Sequence, residues 1–107
     1  MCWWFAAPTR EQVAVETRSL ARFAPVAFPD KMVSLVEATA RDLALPCRRM
    51  PSGAGHDAQM MARLCPSGMI FVPSVGGLSH NVREETKPEH LHAGADVLLN
   101  AVLKLAE

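Results

Sequence analysis

Two histidines stand in loops built from small residues. His56 lies in S-G-A-G-H-D-A (52–58), and His80 lies in G-G-L-S-H-N-V-R-E-E (76–85). Three readings of the first loop compete. In the first, Gly53, Gly55 and Ala58 form a G-x-G-x-x-A dinucleotide turn. That match is weak, because Arg48 and Arg49 occupy the preceding segment and no acidic residue follows the next strand to hold a ribose. In the second, the glycines only permit positive φ, and His56 is a surface or packed residue. In the third, the loop is a cradle for an oxyanion or carboxylate. Its glycines let backbone approach a ligand, helix N-terminal N–H groups point at it, and His56 adds a donor. On spacing alone the bare turn is the simplest of the three.

His80 could ligate a metal, but a catalytic zinc takes about three protein ligands plus water. The candidates to join it are His56, Asp57, Glu84, Glu85, His90 and His92. His90 and His92 are two apart and point to different sides of a helix. Glu84 and Glu85 read most simply as charge on an exposed loop. None of these residues has the spacing of a self-sufficient motif such as H-E-x-x-H.

The bulk composition bounds what such loops serve. The 107 residues are one domain by default, half are apolar and 21% are charged. Eleven basic residues balance eleven acidic ones. A zero net charge argues against nucleic acid or an anionic membrane as partner, and gives little protection against self-association. No apolar run reaches the roughly 20 residues of a membrane span, and M-C-W-W-F-A-A-P lacks the basic start of a signal peptide. Cys2, Cys47 and Cys65 are an odd count without C-x-x-C spacing. They read as free thiols in a reducing cytoplasm.

The elements that must position the two loops follow from periodicity. Val13, Val15 and Thr17 alternate with Ala14, Glu16 and Arg18, which predicts a strand. Pro25 and Pro29 mark a connector. Asp30 is placed to cap a helix over 30–45, with Met32, Leu35, Val36, Ala40 and Leu43 on its inward face. Residues 47–50 read as a short strand. Residues 57–65 read as a helix with Met60, Met61 and Leu64 inward. The run M-I-F-V (69–72), between Gly68 and Pro73, has the pattern of a strand buried on both faces. Pro88 opens a last helix to 106 with a stripe of Leu91, Ala95, Leu98, Val102 and Leu105. Alternation of strand and helix predicts an α/β layer with parallel strands. Parallel neighbours at 47–50 and 69–72 would bring His56 and His80 to one sheet edge, where ligands bind in such folds.

These residues also resemble a known family. M-P-S-G-A-G-H-D-A-Q-M-M-A-R-L-C-P-S-G-M-I-F-V-P-S-V-G-G-L-S-H-N-V-R-E-E-T, followed by G-A-D-V-L-L-N-A-V-L-K-L-A-E, is similar to the C-terminal part of a metallohydrolase group. The group holds N-carbamoyl-L-amino acid hydrolases, β-ureidopropionases and allantoate amidohydrolases, of the dinuclear zinc aminopeptidase-like superfamily. P-V-A-F-P-D-K-M-V-S-L-V-E-A-T-A-R-D-L-A-L-P-C-R-R resembles the helix and strand before that motif. The resemblance covers about residues 25–107 and leaves 1–24 unassigned.

The resemblance implies a fold: part of a mixed, largely parallel sheet flanked by helices, within an α/β catalytic domain. It implies hydrolysis of a non-peptide C–N bond in a carbamoyl or ureido amino acid or allantoate. The cofactor would be two divalent metals, zinc, manganese or cobalt. It makes His80 a metal ligand and Gly55 and His56 substrate contacts. The family's upstream H-x-D pair, its Glu-Glu pair with the general base, and a further histidine have no counterpart here, so no catalytic residue is assigned. The chain is therefore expected to be a C-terminal fragment, inactive alone. It would pair with itself or with a complementary enzyme fragment. The alternative is a non-catalytic binding or assembly module that retains the substrate loop.

Overall fold

A computed structural model describes residues 16–107. Among the described residues the helices are α1 (Asp30–Asp42), α2 (Asp57–Met61) and α3 (Pro88–Ala106), with a 3-10 turn at Val75–Gly77. Half of the strand expected over 13–18 lies outside the described residues, and residues 16–18 carry no regular structure.

Helix α1 starts one residue earlier than a cap at Asp30 requires. Pro29 is the N-cap and contributes no side-chain bond. The Asp30 carboxylate instead accepts from Ser34 Oγ (3.1 Å) and from Arg49 Nη1 (2.6 Å). Its inward face is led by Thr39 and Ala40, with Met32, Leu35 and Val36 half-buried, while Leu43 is exposed. The buried Thr39 hydroxyl is satisfied inside its own helix, donating to the Leu35 carbonyl at 2.8 Å. The helix ends with Ala44 in the left-handed region (φ 54°). There Ala44 N–H donates to the Arg41 carbonyl and Leu45 N–H to the Ala40 carbonyl. This is the paired closure that satisfies the last carbonyls of a helix.

Helix α3 packs on α1, but not through the stripe read from the sequence. Leu91, Ala95, Leu98, Val102 and Leu105 are all exposed. Val97 and Ala101 are buried, and Ala93 and Gly94 are half-buried. Small residues face inward because a neighbouring side chain comes close to the α3 backbone there: a Cβ on Gly94 would sit 2.6 Å from Val72 Cγ1. Lys104 Nζ meets Asp42 Oδ2 at 2.6 Å, so the last turns of α1 and α3 lie side by side.

The segments 47–50 and 69–72 form no strand ladder, and no strand is assigned among the described residues. They do lie against the helices. Arg49 crosses α1 to reach Asp30, Ser34 and Glu37. Gly68 is placed 3.8 Å from the Met32 Cβ, measured from its own would-be Cβ, and Val72 abuts Gly94. Met69, Ile70 and Val72 are half-buried, whereas Phe71 is exposed. Both segments line a groove of about 1150 Å³ whose floor includes Val36, Ala40, Ala93 and Val97. A ladder needs a hydrogen-bonded neighbour about 4.8 Å away, and neither segment has one among the described residues.

Helix α2 is shorter than expected, ending at Met61 and followed by a turn. Met60, Met61 and Leu64 are exposed instead of inward. Among the described residues no helix is long and apolar enough to cross a membrane.

Candidate functional site

The loop before α2 is organised by His56. Its backbone is extended (φ −146°, ψ 151°), the conformation of an N-cap. Its Nδ1 accepts from Ala58 N–H at 3.2 Å, and Gln59 Oε1 accepts from His56 N–H at 3.4 Å. This is a reciprocal capping box with histidine in the place usually taken by serine or threonine. The bond has a chemical consequence. A ring nitrogen that accepts carries no proton, so the neutral imidazole bears its proton on Nε2. The cap thus leaves His56 with one free N–H donor.

The glycines before it are not there for a left-handed turn. Gly53 and Gly55 both lie outside the positive-φ region, which only Gly76 and Gly77 occupy among the described glycines. A Cβ added at Gly53 would meet nothing within 4 Å. Ser52 closes the loop upon itself: Oγ donates to the Ala54 carbonyl (3.0 Å) and accepts from Ala54 N–H (3.3 Å). Backbone at Gly53 borders open space, and a Cβ at Gly55 would make ordinary contact with Gln59 Oε1 at 3.7 Å, an arrangement that serves a bare turn and a cradle alike.

The loop at 73–87 is closed at its base by Val75 N–H donating to the Glu85 carbonyl at 2.7 Å. At its tip Arg83 N–H donates to Asn81 Oδ1, and Glu84 N–H to the Asn81 carbonyl, both at 2.9 Å. His80 has φ 55°, and its N–H donates to Glu84 Oε2 at 2.9 Å.

His56 and His80 open on one cleft of about 380 Å³, lined by residues 50–56 on one side and by Phe71, Ser79 and His80 on the other. They meet there although the strand pair expected to align them is not formed. No other candidate adds a third converging side chain among the described residues. His92 Nε2 lies 3.3 Å from Asp96 Oδ2, one helical turn along α3. His90 lines the larger groove. Glu84 serves the His80 backbone. Among the described residues no three His, Cys, Asp or Glu side chains converge to hold a metal ion. These residues alone therefore do not fit a metal centre. Gln59, Ser52 and Ser79 belong to the site but were not singled out from the sequence. H-x-x-Q ahead of a helix is a capping signature that histidine's low rank as a cap conceals.

The profile of peptidase family M20/M25/M40 matches residues 7–104. An N-carbamoyl-L-amino-acid amidohydrolase of Rhizobium meliloti is 44% identical over 95 residues, covering 89% of this chain and 23% of that protein. An allantoate amidohydrolase of Bacillus subtilis is 41% identical over 85 residues, covering 79% of this chain and 21% of that protein. A crystal structure of an amidase of the hydantoinase/carbamoylase family from Burkholderia vietnamiensis superposes with a TM-score of 0.78 at 41% identity. That match covers 81% of this chain and 21% of the other. The chain thus spans between a fifth and a quarter of the length of these relatives.

Proposed function

Because the chain belongs to peptidase family M20/M25/M40, we propose that it is the substrate-loop part of an amidohydrolase catalytic domain. The substrate would be a carbamoyl or ureido amino acid or allantoate, and the bond cleaved a non-peptide C–N bond. The names of the relatives support that substrate class. In this reading His56 Nε2–H and the backbone at Gly55 bind the substrate's oxygen atoms. His80 is one ligand of the divalent metal, zinc, manganese or cobalt, on which such enzymes rely. The remaining ligands and the general base come from outside the described residues, and so do the strands that complete a largely parallel sheet around 47–50 and 69–72. A reducing cytoplasm suits the free, exposed thiols of Cys47 and Cys65.

One observation carries the proposal: His56 and His80, 24 positions apart in sequence, line a single cleft whose walls include exposed glycine backbone. The second reading, a binding or assembly module that keeps the substrate loop, is supported by the same cleft, whose exposed glycine backbone and free His56 Nε2 donor suit a bound ligand.

The test is a chimera in which residues 25–107 replace the matching stretch of the Rhizobium meliloti amidohydrolase. The purified 107-residue chain should show no turnover of N-carbamoyl amino acids or allantoate with added zinc, manganese or cobalt. The chimera should turn over. His80→Ala should cost it about a hundredfold or more, in the range of a lost active-site electrostatic partner. His56→Asn keeps a good helix cap but removes the Nε2 donor, so it should lose activity while unfolding at the wild-type midpoint. A chimera that folds but is inactive, or one indifferent to both histidines, would sink the amidohydrolase reading and leave the binding module.

A further inference from the structure

We infer that Glu84 is a positioning residue whose carboxylate holds the His80 backbone in its left-handed conformation and so presents the imidazole to the cleft. The inference rests on the reading of His80 as a functional side chain. Three residues of the 73–87 loop have positive φ: Gly76 (64°), Gly77 (69°) and His80 (55°). Glycine occupies that region without steric cost, and a residue with a Cβ does not. The chain uses glycine twice for this purpose and histidine at the third position. His80 carries a Cβ into that region, so its neighbours have to hold its backbone there, as the closing bonds of α1 hold Ala44.

Glu84 is the neighbour that does so. Its Oε2 accepts from His80 N–H at 2.9 Å, a charge-assisted bond spanning four residues. The Glu84 backbone is itself fixed, because its N–H donates to the Asn81 carbonyl. Asn81 Oδ1 adds a bond from Arg83 N–H. The carboxylate is thus anchored by the turn it stabilises, and the His80 N–H is drawn away from the extended conformation. His80 lines the cleft beside residues 52–56 in that arrangement. The adjacent Glu85 contributes through its carbonyl, which accepts from Val75 N–H. Its side chain serves as the control.

The experiment is nuclear magnetic resonance on the labelled 107-residue chain, without added metal. The wild type should show a left-handed HN–Hα coupling at His80, a downfield His80 amide, and ring contacts from His80 to residues 52–56. In Glu84→Ala the coupling and ring contacts should be lost and the His80 amide should exchange about tenfold faster, the scale of one charge-assisted hydrogen bond. Glu84→Gln keeps an acceptor and should retain the contacts. Glu85→Ala should change nothing, and signals of α1 and α3 should stay in place in every variant. Should Glu84→Ala fail to fold, Glu84→Asp, one methylene too short to reach, takes its place against Glu84→Gln. Persistence of the left-handed coupling and ring contacts in Glu84→Ala, or in Glu84→Asp where that replaces it, overturns the inference and leaves the role of His80 standing. Absence of ring contacts in the wild type overturns both.

Discussion

Arg49 joins a segment without regular structure to three residues of α1. Its Nη1 lies 2.6 Å from Asp30, its Nη2 2.9 Å from Glu37, and Nη2 also donates to Ser34 Oγ at 2.8 Å. Glu37 in turn meets Arg41 at 2.6 Å. The hydrogen bond from Arg49, followed by that from Ser34, holds the Asp30 carboxyl below the ordinary aspartate range. Asp30, and then Glu37, raise Arg49 further above its already high value. The sign of the consequence follows. The unfolded chain binds a proton at Asp30 before the folded chain does, so stability rises with pH across that interval. The contribution is complete above the unfolded value near pH 4 and is lost as pH falls through the lowered folded value. Urea unfolding of the wild type should therefore weaken more steeply below about pH 4 than that of Asp30→Asn. The difference should shrink in high salt, because the pair is exposed and screened. Equal slopes in the two proteins would show that the ion pair is not held in solution. An acid at the start of α1 was legible in the sequence. That it serves Arg49 instead of the helix end depends on a side chain 19 residues away.

At the scale of elements, the contact that orders the layer is backbone against side chain. Gly94 lies in the middle of α3, where glycine costs up to about 1 kcal/mol relative to alanine. Helix propensity alone would make Gly94→Ala stabilising. The new Cβ would lie 2.6 Å from Val72 Cγ1, well inside contact distance, and the β-branched valine is stiff at χ1 and relieves such a contact poorly. Overpacking of this kind costs about 1–3 kcal/mol. Gly94→Ala should thus lower unfolding stability, and Val72→Ala placed on that background should recover part of the loss. A stabilised Gly94→Ala would mean that residues 69–72 do not pack on α3 as described. The same close approach explains the misplaced stripe. Hydrophobicity ranks leucine above glycine and alanine, so periodicity chose Leu91, Leu98 and Leu105, whereas proximity selects the small face at Gly94, Val97 and Ala101.

The described residues are extended for their number. Their radius of gyration is 18.8 Å, against about 13 Å for a compact domain of a hundred residues. Ala40, Val97 and Ala101 are the buried apolar side chains among the described residues. Leu91, Leu98, Leu99, Val102, Leu103 and Leu105 each leave half or more of their surface open. Contiguous exposed apolar surface and strand-like segments without ladder partners both favour association. The purified chain should run larger than a monomer in light scattering, with the share of oligomer rising with concentration. Substituting Leu99 and Leu103 by glutamate should shift it towards monomer. A monodisperse monomer at millimolar concentration would show that this surface is not an interface.

Sequence alone determined what is local. The positions of α1 and α3 follow from periodicity and proline placement, because a helix closes its hydrogen bonds within its own segment. The family follows from the residue order around His56 and His80, because loop chemistry is written in residue type. Strand pairing is not local. Residues 47–50 and 69–72 carry strand-like composition, but a ladder exists only where another backbone lies alongside. Tertiary structure alone decided which face of α3 is inward, since that depends on what approaches it. It also decided that Asp30 answers to Arg49, that Nδ1 of His56 faces Ala58 N–H and frees Nε2, and that the His56 and His80 loops, expected from the sequence to share a sheet edge, share a cleft without a strand ladder between 47–50 and 69–72.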